Sequence, residues 1–295
     1  MSLALLSPKV DFVFKKIFGS EKHPMILISF LNAVMKPIDP IKSVTIKNTD
    51  IEKEHIEDKY SRLDIKAVTN KGEHINIEIQ VKNEYNMINR SLYYWSKMYE
   101  EQIVEGDDYD MLEKTVCINI LDFKYLKNNE FHNCYRLKEI NSNEELTDNM
   151  EIHFIEIPKL KQREDSEDIS DMLIAWVEFI SNPESSVVSK LEMNKQEIKE
   201  AKQELVRLSC DSKERMFYEK RKESILNKVS AFEKARKEGI KEGIKEGIKE
   251  GIKEGIREGI QSTAKNLLKL GLDIESICKA TELDKEDIEK IKNTL

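Results

Sequence analysis

Cysteine is sparse in this 295-residue chain, and its four copies lie far apart, at Cys117, Cys134, Cys210 and Cys278. No two form a CxxC pair, so the spacing gives neither a structural zinc motif nor a disulfide framework, and it suits a reducing cytoplasm. Long apolar runs are missing too. Nothing approaches the roughly 18–20 apolar residues of a membrane span, and the opening MSLALLSPKVDF has too few apolar residues for a signal peptide. A soluble, cytoplasmic protein is expected. The five histidines, His55 and His74 among them, show no partner at metal spacing and read as structural or surface residues. A basic excess is also lacking. The net charge of −8 argues against a general nucleic-acid coat while leaving room for a local basic groove.

Charge of both signs is abundant, with 48 basic and 56 acidic residues. Charged residues make up 35% of the chain against roughly 25% in ordinary soluble proteins, which places the excess on long solvated helices. Four regions differ in texture. Residues 1–185 hold nearly all the aromatics and mix helix and strand signals. SPKVDFVFKKIFG opens as a helix with Ser7 as cap and Pro8 in the first turn, and Gly19 ends it. HPMILISFLNAVM is a second helix. Strand runs follow at 61–68 and 74–82, then a helix through MINRSLYYWSKMYEEQIVEG that ends near Gly106. TVCINILDF, nearly all apolar, is an internal strand, MEIHFIEIPKL another, and DISDMLIAWVEFI a closing helix. Helices on either side of a mixed sheet make an α/β layer domain.

Residues 186–236 read as a charged helical arm. Residues 237–260 repeat a tetrapeptide, KEGI five times and REGI once. Four residues advance an α-helix by about 400°, so the isoleucine stripe drifts about 40° per repeat. Interior glycines cost about 1 kcal/mol each against alanine. The segment is therefore either a low-complexity linker or a self-association element, and a homo-oligomer is expected on the second reading. Residues 261–295 look like three short helices broken at Gly271-Leu272-Asp273 and Glu282-Leu283-Asp284. The last, DKEDIEKIKN, carries four acids against three lysines and suits a packing module better than a DNA reader.

The chemistry lies in HINIEIQVK. Ile75, Ile77, Ile79 and Val81 point one way, and Asn76, Glu78, Gln80 and Lys82 the other. The preceding run SRLDIKAV carries one acid, Asp64. A three-residue loop at Asn70-Lys71-Gly72 makes Thr69 face Glu73, so that paired positions sum to 142 and Asp64 falls opposite Glu78. The apolar pattern favours this register, because Leu63, Ile65 and Ala67 must share the buried face with the isoleucines. Facing carboxylates about 4.5–5.5 Å apart at Cβ repel each other, and a divalent cation removes that repulsion. Oxygen donors suit Mg²⁺ or Mn²⁺, with Gln80 placed to orient water or phosphate. From pattern alone, a polar Asp-Glu-Gln face is more often a solvated sheet surface than a catalytic one. Asp11 either complements the dipole of its helix or adds to the metal site. Arg90, Tyr94 and Lys97 share a helix face that either tracks a phosphate backbone or is ordinary amphipathic surface, with Tyr93 and Trp95 in the core.

An acid, thirteen residues, then E-x-Q on a hairpin between two helices resembles the PD-(D/E)xK nuclease superfamily. Within it, the chain resembles the recombination-promoting, transposase-like nucleases over DFVFKKIFG, SRLDIKA, INIEIQ, NRSLYYWSKMYEEQIVEGDDYDML and VCINILDF, in that order. FEKARKEGIKEG also resembles that family's C-terminal text. The resemblance implies a restriction-endonuclease-like fold and a Mg²⁺- or Mn²⁺-dependent DNA endonuclease acting on double-stranded DNA. It makes Asp64 and Glu78 catalytic metal ligands and puts Gln80 where the superfamily has a lysine. Lys82 is one source of the missing positive charge, with Arg90, Tyr94 and Lys97 as DNA contacts.

Overall fold

The computed structural model describes residues 4–47, 64–160 and 171–294, and the chain divides into two compact units, Met1–Ile225 and Leu226–Leu295. In the first, a six-stranded mixed sheet runs in the order β1-β2-β3-β4-β6-β5. Its strands are β1 (Val44–Lys47), β2 (Ile65–Thr69), β3 (His74–Gln80), β4 (Thr115–Leu121), β5 (His132–Lys138) and β6 (Glu145–Glu156). The β2–β3 hairpin has the expected register, with Ile65 opposite Ile77 and Ala67 opposite Ile75. Its loop closes through Thr69 N–H donating to the Glu73 carbonyl at 3.0 Å, and Gly72 takes a positive φ of 84°, as a three-residue hairpin loop requires. β4 lies between β3 and β6, parallel to both, and every one of its residues is buried. A strand covered on both faces needs such a nearly continuous apolar run.

The helices of this unit are α1 (Asp11–Phe18), α2 (Pro24–Met35), α3 (Met87–Glu100), a single turn α4 (Ile157–Leu160), α5 (Met172–Ser181), α6 (Ser186–Asn194), α7 (Gln196–Cys210) and the start of α8 (Ser212–Lys269). One sheet face carries Ala67, Ile75, Ile77, Val116, Ile118 and Ile155 into the main core with Phe14, Phe18, Phe30 and Trp176. The other face carries Cys117, Leu121, Ile152 and Phe154 against Met87, Tyr94 and Met98 of α3. This is a restriction-endonuclease-like α/β fold.

Four expectations change. α1 begins at Asp11 after an extended Val10, because Ser7 uses its carbonyl to close a turn onto Val10 N–H at 3.2 Å. α3 stops at Glu100, short of Gly106, which turns at φ 98°. β1 and β5 join the sheet in addition to the expected strands. The core also crosses residue 185. Val188, Leu191, Ile198, Ala201, Leu205 and Leu208 of α6 and α7 are buried in it, so what read as a free arm packs onto α1 and α2. Leu63 and His55 lie outside the described residues.

In the second unit, residues 237–260 are helical throughout as part of α8. A Cβ added at any of its six glycines would meet nothing within 4 Å, and Ile240, Ile244, Ile248, Ile252 and Ile256 are each 53–60% exposed. α9 (Ile274–Thr281) and α10 (Lys285–Lys292) follow. They close a small core of Ile277 and Ile288 around Ala264. No helix among the described residues is long and apolar enough to cross a membrane.

Candidate active site

Asp64 stands one residue before β2 and Glu78 lies within β3, so the hairpin register brings the two acids to the same level. Asp64 Oδ2 accepts a hydrogen bond from Ile79 N–H at 2.8 Å, which ties the loop acid to the strand that carries its partner. Glu78 is 1% exposed. The face that alternation marked as polar is roofed by α3, and its polar residues Asn76, Glu78 and Asn119 are all buried. Arg90 reaches in from α3, its terminal nitrogen 2.6 Å from Glu78 Oε2 and its guanidinium 5.3 Å from the centre of the Tyr94 ring. Gln80 Nε2 sits 3.5 Å from the same Glu78 oxygen, at the outer limit of hydrogen bonding. Glu78 Oε1 is buried with no hydrogen-bond partner among the described residues.

A family model described as PD-(D/E)XK nuclease family transposase matches residues 8–235. The chain belongs to that family. No curated protein and no solved structure matches it. Membership supports a nuclease or transposase-like role, and the matched span runs through α7 into α8, as the continuous core does.

In this PD-(D/E)XK protein the two acids raise each other's cost of ionisation. Burial pushes the Glu78 carboxyl well above the usual range, and the charge of Asp64 pushes it further. Burial also raises Asp64, and nearby Asp11 adds to the rise, although the Ile79 hydrogen bond opposes it. Arg90 favours the ionised form of both acids. A buried like-charged pair with one orphaned oxygen is an arrangement that a cation stabilises. The donors are carboxylate oxygens, which fits a hard divalent ion.

The other candidates fall in different places. Lys82 lies past the end of β3, in the bend leading to α3, so strand alternation no longer sets its direction. Lys97 is a half-buried residue in the last turn of α3, 3.3 Å from Glu100. Tyr94 is only 6% exposed and belongs to the core, against which Tyr93 and Trp95 also pack, which corrects the placing of Tyr94 on an outer helix face. Arg90 therefore points into the acid pair and does not continue an outer stripe with Tyr94. Asp11 caps no orphan dipole alone, since Arg221 of α8 chelates its carboxylate. Lys9 pairs with Asp122 at 2.8 Å, and Asp122 N–H donates to the Gln80 carbonyl at 2.9 Å. Nothing in the local pattern marked Arg221, because it meets Asp11 only through tertiary packing. The histidines also depart from expectation, since His153 lies with Cys134 and Glu151 at metal-ligand spacing.

Proposed function

We propose that the protein is a divalent-metal-dependent DNA endonuclease whose phosphodiester breaks serve recombination or transposition. The observation that carries this reading is the buried Asp64–Glu78 pair with Arg90 aimed at it. Asp64 and Glu78, ionised together, would hold Mg²⁺ or Mn²⁺. When bound, such an ion supplies an activated water and offsets charge on the transferring phosphate. Arg90 keeps its positive charge at neutral pH and stands where it can stabilise a phosphate oxygen, the task left open by glutamine at position 80. The Gln80 amide donates a hydrogen bond to water or phosphate. The electrostatic gain is largest here because the site is buried. Double-stranded DNA is the substrate, and the four free thiols suit a cytoplasmic protein.

The second reading, a catalytically weak DNA-binding accessory, is favoured by the amide at position 80. Nicking of supercoiled plasmid by the full chain separates the two. The endonuclease reading expects nicking with Mg²⁺ or Mn²⁺ and none with a chelator. Retarded DNA without nicking in either metal supports the accessory. We also read the half-exposed isoleucines of the repeat as a surface for a second copy of the chain, because they bury apolar area only against another helix.

A further inference from the structure

The sheet face away from α3 carries a second group of donors at its far edge. β5 and β6 are antiparallel, with Cys134 opposite His153 and His132 opposite Ile155. Strand alternation then sets His132 and Cys134 of β5 on one face with Glu151 and His153 of β6. Tyr135, the neighbour of Cys134, packs edge-on to Phe154 on the α3 side, so Cys134 faces the other way. We propose that Cys134, Glu151 and His153 form a binding site for a borderline-soft divalent transition-metal ion of the zinc type, separate from the nuclease centre.

The donor atoms of these three residues all lie within 4.8 Å of one another. Thiolate, imidazole and carboxylate are the donors zinc takes in protein sites. Glu151 Oε2 already accepts from Lys114 at 2.8 Å and from Arg136 at 2.9 and 2.7 Å, which fixes the carboxylate and leaves Oε1 for another partner. That partner is His153 Nε2 at 2.6 Å, and an ion entering between them replaces a proton. On the far side of the ring, His153 Nδ1 lies 2.9 Å from His132 Nε2. An imidazole nitrogen without a proton is an acceptor, and His132 Nε2 is placed to be one. His153 then binds metal through Nε2 as the Nδ1–H tautomer and donates to His132, the supporting bond that metal-bound histidines commonly make. Cys134 is exposed, which gives an entry path. A thiol binds a metal ion as the thiolate, so binding releases the thiol proton to solvent.

Two cations on Glu151 oppose a third positive group, and the neighbourhood answers them. Arg136 also pairs with Glu145 at 3.0 Å, and Lys114 lies 3.9 Å from Asp148. Together with the Glu151 carboxylate and a Cys134 thiolate, these acids match the charge of the ion, Lys114 and Arg136. A bound ion would fasten the edge strand β5 to β6.

The test is to titrate the chelator-stripped full chain with Co²⁺, then with Zn²⁺. The expected result is a thiolate-to-cobalt charge-transfer band that saturates at one equivalent, whatever the nuclease centre binds besides, and that Zn²⁺ abolishes. Cys134→Ser, conservative and at an exposed position, should remove the band. His132→Gln should keep it while weakening affinity about 10- to 100-fold. No band in the wild type, or an equal band in Cys134→Ser, overturns the site. A band lost in Asp64→Asn but kept in Cys134→Ser also overturns it, because the thiolate signal would then arise elsewhere.

Discussion

At the scale of single residues, the charge state of Glu78 governs the site. Its carboxyl is raised by burial and by the charge of Asp64, and that of Asp64 by burial and by Asp11. A raised folded-state pKa contributes stability that is fully present below the ordinary carboxylate value of about 4 and is lost as pH rises through the raised values. Metal-free wild type should therefore lose thermal stability relative to Glu78→Gln as pH climbs from about 4 to neutral and beyond. Added Mg²⁺ should restore it in the wild type only. Parallel melting curves for the two proteins across that range would contradict the shifts. Arg90 offers a second test. Arg90→Met should lower cleavage by about 10²–10³-fold, the usual cost of losing a donor aimed at developing charge, whereas Gln80→Lys should preserve or raise it. Equal loss in both would show that Gln80 makes a hydrogen bond that lysine cannot replace. The facing of Asp64 and Glu78 was legible because Gly72 and the alternating isoleucines allow one register. The role of Arg90 was not, since i to i+4 spacing names a helix face without saying which face α3 turns to the sheet.

At the scale of elements, the repeat and the edge strands set the limits of a pattern reading. β4 announces itself by seven buried residues in a row. β5, reading HNCYRLK, is mostly exposed and offers no apolar alternation, and β1 has only four residues. In α7, Ile198, Ala201, Leu205 and Leu208 recur at helical spacing, yet the lysines and glutamates between them made the segment read as solvated. Within α8, the six repeat glycines have helical backbone and open space around them. Changing all six to alanine should raise helix stability by about 1 kcal/mol per site, read as higher helicity and melting temperature by circular dichroism. No change would contradict a helical repeat. The stripe drifts about 40° per repeat, so a straight partner helix meets only a few isoleucines at once. Sedimentation of the full chain against one ending at residue 236 tests the second-copy surface. The shorter chain should associate less, and equal states would reduce the repeat to a spacer.

For the whole molecule, the core that continues past residue 185 and the family match over residues 8–235 make α6, α7 and the start of α8 part of the nuclease body. Arg221 of α8 holds Asp11, whose charge acts on Asp64, so that body joins residues 210 apart in sequence beside the site. The central claim is that Asp64 and Glu78 together make the metal-dependent cleavage site. Its most direct test is plasmid nicking by wild type, Asp64→Ala and Glu78→Ala at matched Mn²⁺ and protein concentration, each first shown to be folded by its melting curve. Both variants should keep the fold and lose at least about a hundredfold in nicking rate. Wild-type nicking by either folded variant would contradict the assignment.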